Sequence, residues 1–184
     1  YIYETRRFEG TSQVVKLALE AISLDPGYVD AYAVAGIFTL FKGVYAGGSA
    51  MRDAAMEALP YFEKALELNP HNASAHSGMG VVNELARWNF NIAEKEYQKS
   101  IYLEPNNDGW YALVAEFYLK MHQLEDAVVY ADVSHESINT HFIKVKSHIL
   151  SGNQKEANDL LTQAASDEMA HPFIGENYIW LEEY

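Results

Sequence analysis

The sequence SIYLEP at residues 100–105 repeats a pattern that also occurs as ALELNP at 65–70 and as AISLDP at 21–26. Each copy ends a helix-forming run with a proline. Proline cannot continue a helix because it has no backbone N–H and its ring clashes with the preceding turn. Pro70 and Pro105 are 35 residues apart, whereas Pro26 and Pro70 are 44 apart. Self-similarity at a period in the thirties is typical of helical repeat proteins.

Small and large side chains recur at fixed offsets before the prolines. The matched positions are Ala58, Phe62, Ala65 and Pro70 in one copy and Ala93, Tyr97, Ser100 and Pro105 in the next. Residues three and four apart share one face of a helix, so these offsets define a single packed face. Weaker copies lie at Val14–Pro26, Ala127–Asn139 and Ala157–Ala164.

Helical periodicity extends through the intervals between the prolines. Apolar residues recur at spacings of three and four, for example from Met51 to Leu68 and from Trp110 to Met121. Short breakers such as Asn69-Pro70-His71-Asn72 separate these runs, and no alternating β pattern of useful length stands out. The sequence therefore predicts an all-α fold.

Glycine positions predict where helices approach each other closely. Gly36 and Gly80 fall on the first helix of their pairs, and large rings, Phe62 and Tyr97, fall on the second. Two helices come close only where side chains are small, so we expect the rings to fill the grooves beside these glycines.

The unit at residues 73–106 resembles the tetratricopeptide repeat (TPR) family, whose unit is a helix–turn–helix of about 34 residues. The residues that match the family pattern are Met79-Gly80, Ala93, Tyr97 and Pro105. The resemblance implies a right-handed α-α superhelix of TPR-like helix–turn–helix repeats. This unit departs from the family at Asn83, which occupies an aromatic position, and by one extra residue in the turn around Arg87–Asn91.

The repeat pattern predicts a single repeat domain over residues 1–184. Its expected parts are a partial repeat at 10–26, repeats at 29–70, 73–106, 108–139 and 139–165, and the start of a further repeat at 172–184. The long 29–70 unit predicts a flexible insertion around Val44–Met51. We expect the chain to be part of a larger protein with further repeats beyond Tyr184.

A narrower resemblance depends on three segments, Tyr3–Arg7, Gly27–Tyr32 and Arg87–Phe90. They are similar to repeat regions of bacterial signalling proteins in which the repeats follow a winged-helix DNA-binding, adenylate cyclase or protein kinase domain. This resemblance implies the regulatory or sensory region of a signalling or transcription protein. We expect a cytoplasmic location, with a periplasmic domain of a membrane-anchored regulator as the alternative.

The chain is acidic, with a formal net charge of −13 at pH 7, and it contains no cysteine. Acidic surface repels nucleic-acid phosphates and anionic lipid, so we expect no direct nucleic-acid contact. No apolar run is long enough to predict membrane insertion. The absence of cysteine excludes disulfides and thiolate metal sites and leaves the redox compartment open.

The sequence shows no catalytic, cofactor-binding or metal-binding constellation. His141 and His148 are two helical turns apart, too far to share a zinc ion without intervening ligands. Gly78-Met79-Gly80 lacks the third glycine and the preceding strand of a dinucleotide loop. The adjacent residues Ser134-His135-Glu136 point in different directions on a helix and cannot form a triad. We predict a non-enzymatic protein without a cofactor.

The resemblance implies that the first helix of each pair lines a groove that binds a partner. The positions that project into this groove are Ile37, Leu40, Phe41, Ser77, Val81, Glu84, Glu116, Lys120, Phe142 and Lys146. The chaperone-binding subgroup holds a terminal carboxylate with lysine, asparagine and arginine, and those positions here are mainly apolar, serine or glutamate. The mixture predicts a protein or peptide partner with an apolar or basic segment. Packing against neighbouring repeats is the alternative role of these residues.

The sequence therefore predicts a protein–protein interaction module, and two alternatives stay open. One is a self-association scaffold, in which exposed repeat ends such as the face of Ile174, Tyr178 and Leu181 stack between chains. The other is a substrate-positioning segment of a multidomain enzyme such as an adenylate cyclase.

Overall fold

The structure is a computed structural model that describes residues 2–46, 50–134 and 138–165, with side chains over 10–43, 50–134 and 140–163. The described helices are α1 (Ile2–Leu24), α2 (Val29–Ala46), α3 (Ala50–Leu68), α4 (Ala73–Leu85), α5 (Phe90–Leu103), α6 (Asp108–Lys120), α7 (Leu124–Val133), α8 (Ile138–Leu150) and α9 (Gln154–Ala165). These residues include no strand, which confirms the all-α prediction. The expected further repeat at 172–184 lies outside the described residues.

The chain divides into two compact units, residues 1–106 and 107–184. In the first unit each helix from α1 to α5 packs against the next, and α2 also lies beside α4. In the second unit the same holds for α6 to α9, and α6 lies beside α8. The first helices of successive pairs, α2 and α4 in one unit and α6 and α8 in the other, are therefore neighbours, as expected for stacked helix pairs.

The prolines separate successive helix pairs. Pro26, Pro70 and Pro105 each lie three residues before a helix begins, at Val29, Ala73 and Asp108 respectively. Asparagine side chains cap two of these starts: Asn72 Oδ1 accepts from Ala75 N at 2.8 Å and Asn107 Oδ1 from Gly109 N at 3.1 Å. Such caps satisfy backbone donors that have no partner within the helix.

Asn139 aligns with the prolines in the repeat pattern, yet it lies in the first turn of α8, which begins at Ile138. Proline is also tolerated in the first turn of a helix, where the backbone N–H has no partner within the helix. The repeat position that the prolines occupy therefore falls inside α8, whereas the prolines each lie three residues before a helix.

The long repeat contains extended helices where the sequence predicted a flexible insertion. Helices α2 and α3 have 18 and 19 residues, compared with 13 and 14 in α4 and α5. The two helices are still closely packed near the end of α2 and the start of α3. A Cβ on Gly43 would lie only 2.5 Å from the Cβ of Ala54. The segment Gly47-Gly48-Ser49 lies outside the described residues.

The rings of Phe62 and Tyr97 occupy space left by glycines on the first helices. Both side chains are fully buried, and a Cβ on Gly36 would lie 2.5 Å from the Phe62 ring. A Cβ on Gly80 would overlap the Tyr97 ring, so the predicted role of these glycines in close packing is confirmed. Gly78 also faces Phe62, which therefore lies between α2 and α4. This third contact has no counterpart in the repeat pattern of the sequence.

Asn83 is buried, and its side chain bonds a backbone carbonyl instead of adding an aromatic contact. Its Nδ2 donates to the Met79 carbonyl at 2.8 Å, and its backbone carbonyl accepts from Asn89 N at 2.9 Å. A buried amide is tolerated when its hydrogen-bonding groups have partners. The asparagine side chain is therefore satisfied within α4, and the bond to the α4–α5 turn comes from the backbone of residue 83.

Three turns between first and second helices contain a residue with positive φ two positions before the next helix. Trp88, His122 and Gly152 have φ values of 54°, 61° and 80°. Glycine adopts this left-handed conformation readily, whereas other L-residues lose about 1–2 kcal/mol in it. Trp88 and His122 therefore have backbones that would be less strained with glycine.

A first prediction tests the close approach of α4 and α5. Gly80→Ala should lower the free energy of unfolding by about 1–3 kcal/mol, because the new methyl group overlaps the Tyr97 ring. Gly10→Ala on α1 is the matched control, since nothing lies within 4 Å of its Cβ position. It should raise stability by about 0.5–1 kcal/mol through helix propensity. Urea unfolding followed by circular dichroism measures both free energies of unfolding. A Gly80→Ala protein as stable as the unmodified chain would contradict the close packing of Gly80 against Tyr97.

A second prediction tests backbone strain in the turns. Trp88→Gly should be more stable than Trp88→Ala by about 1 kcal/mol, because only glycine is unstrained at this φ, and the same order should hold at His122. Gly152→Ala should destabilise by a similar amount. Thermal unfolding of the five variants measures these differences. Alanine variants that equal the glycine variants would show that the strain is absent.

Candidate functional site

The first-helix face of the first unit is formed by α2 and α4, which lie side by side. Ile37 and Leu40 on α2 are half-buried and pack against the core around Phe62. Phe41 is 42% exposed, and its ring meets Phe38 edge to face with centroids 5.6 Å apart. Of the predicted site residues on α2, Phe41 thus presents an aromatic surface to solvent, supported by a second ring.

Helix α4 adds two further predicted residues to this face. Ser77 is buried, and its Oγ donates to the Ser74 carbonyl at 2.9 Å, so the hydroxyl is satisfied within the helix. Val81 is half-buried. A satisfied hydroxyl and a branched aliphatic side chain leave this part of α4 weakly polar. We call Ile37, Phe41, Ser77 and Val81 the α2/α4 face.

Glu84 was predicted to face the groove, but its carboxylate is buried. It is only 8% exposed, and it accepts a hydrogen bond from the Tyr97 hydroxyl at 2.7 Å. Tyr97 lies on α5, so this bond links the two helices of one pair. A short hydrogen bond to a charged group is worth more than a neutral one. Glu84 therefore stabilises the α4–α5 pair.

The predicted residues of the second unit lie on α6 and α8, which are also neighbours. Lys120 Nζ pairs with Glu116 Oε1 at 2.9 Å along α6. Lys146 Nζ lies 5.8 Å from the centroid of the Phe142 ring on α8, within range of a cation–π contact. The predicted site residues thus form a mainly apolar set in the first unit, where Ser77 and Glu84 are buried, and a charged and aromatic set in the second.

His76 on α4 links its own helix to α5 and to the α3–α4 turn. Its Nδ1 lies 2.6 Å from Glu96 Oε2 on α5, and its Nε2 lies 3.0 Å from the Pro70 carbonyl in the α3–α4 turn. Both ring nitrogens thus face acceptors, which orients the imidazole between α5 and the turn. The twenty-residue separation from Glu96 gave no local signal for this contact.

The described residues contain no group of three histidine, cysteine, aspartate or glutamate side chains that could hold a metal ion. His135 and Glu136 of the rejected triad lie outside them.

A hydrogen bond to Glu67 raises the pKa of Lys64, an exposed lysine on α3, which is the second helix of its pair. Among the described helices, none is long and apolar enough to cross a membrane.

Comparison with known proteins places the fold. No sequence profile of a protein family and no curated protein matches the chain. TTC0263, a thermophilic TPR protein of Thermus thermophilus, matches with a TM-score of 0.61 over 73% of this chain and 71% of its own, at 18% identity. YrrB, described as a TPR protein with an unusual peptide-binding site, gives a TM-score of 0.58 over 91% and 84%, at 17% identity.

A TPR protein of Parabacteroides merdae gives a TM-score of 0.68 over 94% of this chain and 67% of its own, at 18% identity. At these identities the likeness shows the fold alone. The chain therefore has a tetratricopeptide-repeat fold, and the predicted class of all-α superhelical repeats is confirmed.

A third prediction tests the bond between the helices of one pair. Tyr97→Phe should destabilise the protein by about 1–3 kcal/mol, because Glu84 loses a donor in a buried setting while the ring still fills the space at Gly80. Adding Glu84→Gln should reveal a coupling energy in a double-mutant cycle. Tyr102→Phe is the control, since Tyr102 is 77% exposed on the same helix. A coupling energy of zero between Tyr97 and Glu84 would contradict the hydrogen bond between them.

Proposed function

We propose that this chain is a protein-interaction module that binds an apolar segment of a partner protein on the α2/α4 face. The observation that supports this most directly is Phe41, an aromatic side chain that is 42% exposed on a first helix. Aromatic residues seated among aliphatic neighbours supply much of the binding energy at interfaces. Ile37 lies one helical turn before Phe41, Val81 lies on the neighbouring helix α4, and both are half-buried aliphatic residues.

The choice of an apolar segment over a basic one follows from the two glutamates. Glu84 accepts from Tyr97 and is 8% exposed, and Glu116 is paired with Lys120. Each carboxylate already has a donor inside the protein, so an incoming basic residue would have to compete with it. Apolar contacts face no such competition.

The fold supports this proposal by analogy. YrrB is described as having a peptide-binding site, and stacked helical repeats form extended surfaces suited to such ligands. A flexible peptide loses conformational entropy on binding, so the ordered Phe38–Phe41 pair would favour binding by presenting a fixed surface.

The resemblance to repeat regions of bacterial signalling proteins adds a cellular role to this proposal. We propose that the chain is a non-enzymatic regulatory or sensory region of a larger bacterial signalling or transcription protein in the cytoplasm. The net charge of −13 supports a role without direct nucleic-acid contact. Self-association is the alternative, favoured by Leu17 and Leu24, which are exposed seven residues apart on α1 and thus share one face.

A fourth prediction tests the face directly. Random peptides displayed on phage are selected against the full chain, and an enriched peptide is synthesised for titration calorimetry. Phe41→Ser should weaken its binding about tenfold or more, because the central aromatic contact is lost. Met56→Ser is the matched control, since Met56 is 49% exposed on α3, the second helix of the same pair.

Equal loss in both variants, or no loss in Phe41→Ser, would contradict the α2/α4 assignment. Sedimentation equilibrium of the unmodified chain distinguishes self-association. A concentration-dependent dimer that Leu24→Ser dissociates, together with failure to enrich any peptide, would favour the alternative.

A further inference from the structure

Trp88 combines a strained backbone with an exposed ring. It lies in the α4–α5 turn with φ 54°, and its side chain is 69% exposed. Gly152 occupies the corresponding position of the α8–α9 turn, where it adopts φ 80° without strain. Bulky residues in the left-handed region are rare and concentrate at functional positions. The exposed ring contributes little to the core, so the fold alone does not explain tryptophan here.

A second ring completes an open corner beside Trp88. Phe90 meets Trp88 edge to face, with centroids 6.2 Å apart and ring planes at 79°. Two nearly perpendicular rings present π faces at an angle, and π faces attract cations through their quadrupoles. We call this pair the Trp88–Phe90 corner.

Backbone hydrogen bonds hold the corner in place. Arg87 N donates to the Val82 carbonyl at 3.2 Å, and Asn89 N donates to the Asn83 carbonyl at 2.9 Å. Asn89 is also the N-cap of α5, and Asn83 is buried. The turn is therefore tied to both helices, so a ligand at the corner would order little additional backbone.

Charge favours a cationic ligand. The nearest cation along the chain, Arg87, faces Glu63 on α3, with Nη2 and Oε1 3.9 Å apart. The chain as a whole has a net charge of −13, which attracts positively charged partners over the range of electrostatic steering. Guanidinium groups stack on aromatic faces better than ammonium groups because they are planar and more weakly hydrated.

We propose that the Trp88–Phe90 corner binds an arginine side chain of a partner protein. This surface lies in a turn and is separate from the α2/α4 face, so the inference does not depend on the proposed apolar site.

The probes are a nona-arginine peptide and a nona-citrulline peptide, which has nearly the same shape without the charge. They are titrated into the full chain at about 0.15 M salt, where the Debye length is about 8 Å. Calorimetry gives the affinity, and the indole N–H resonances report on the three tryptophans individually. The Trp88 resonance is assigned by its loss in Trp88→Gly.

We expect nona-arginine to shift the Trp88 indole resonance and nona-citrulline to leave it unchanged. Trp88→Gly should weaken nona-arginine binding about two- to thirtyfold, the range that corresponds to a cation–π contact. Trp88→Leu, which keeps a bulky side chain, should weaken it similarly. His122→Gly, the same change at the equivalent turn position, should leave the affinity unaltered.

Three results would overturn the inference. Unchanged affinity in both Trp88 variants would show that the ring does not contact the ligand. An unperturbed Trp88 resonance in the presence of bound nona-arginine would place the peptide elsewhere on the acidic surface. An equal response to nona-citrulline would show that the corner binds without requiring charge.

Discussion

Much of the first unit depends on the contact between second-helix rings and first-helix glycines. Phe62 lies against both Gly36 and Gly78, so one ring fixes α3 relative to α2 and to α4. Tyr97 against Gly80 fixes α5 relative to α4 in the same way. Protein interiors are close-packed, and a ring that fills such a space leaves little freedom in the distance between helices. The adjacency of α2 and α4, and hence the α2/α4 face, follows from these contacts.

Tyr97 also connects helix packing to a charged group on α4. Its ring is buried at Gly80, and its hydroxyl binds Glu84 at 2.7 Å. The same residue that positions α5 therefore engages the carboxylate that the sequence placed in the groove. The sequence predicted a groove of mixed apolar and acidic residues, and the burial of Glu84 favours an apolar over a basic segment in the function proposed for the first unit. In the α4–α5 turn, by contrast, the aromatic ring of Trp88 is exposed to solvent, and its backbone has a strained positive φ.

The sequence predicted the contacts that repeat and missed those that depend on three-dimensional detail. Gly36 and Gly80 occupy the same position in their repeats, counted from the preceding proline, so their role was predictable. The contact of Gly78 with Phe62 instead depends on how α4 crosses α3. A helix carboxylate such as Glu84 is usually solvated, and its burial depends on a tyrosine thirteen residues away. An insertion was predicted around Val44–Met51, and of these residues 44–46 and 50–51 extend α2 and α3 as helix, whereas Gly47-Gly48-Ser49 lies outside the described residues. Side-chain exposure at Phe41 and the sign of φ at Trp88 have no periodic signal.

The most direct test of the central claim is the location of a bound peptide on the folded chain. Backbone amide shifts, followed by nuclear magnetic resonance during titration with an enriched apolar peptide, report this residue by residue. We predict that the largest shifts cluster on α2 and α4, around Ile37–Phe41 and Ser77–Val81. Shifts confined to the second helices α3 and α5, with α2 and α4 unchanged, would contradict it.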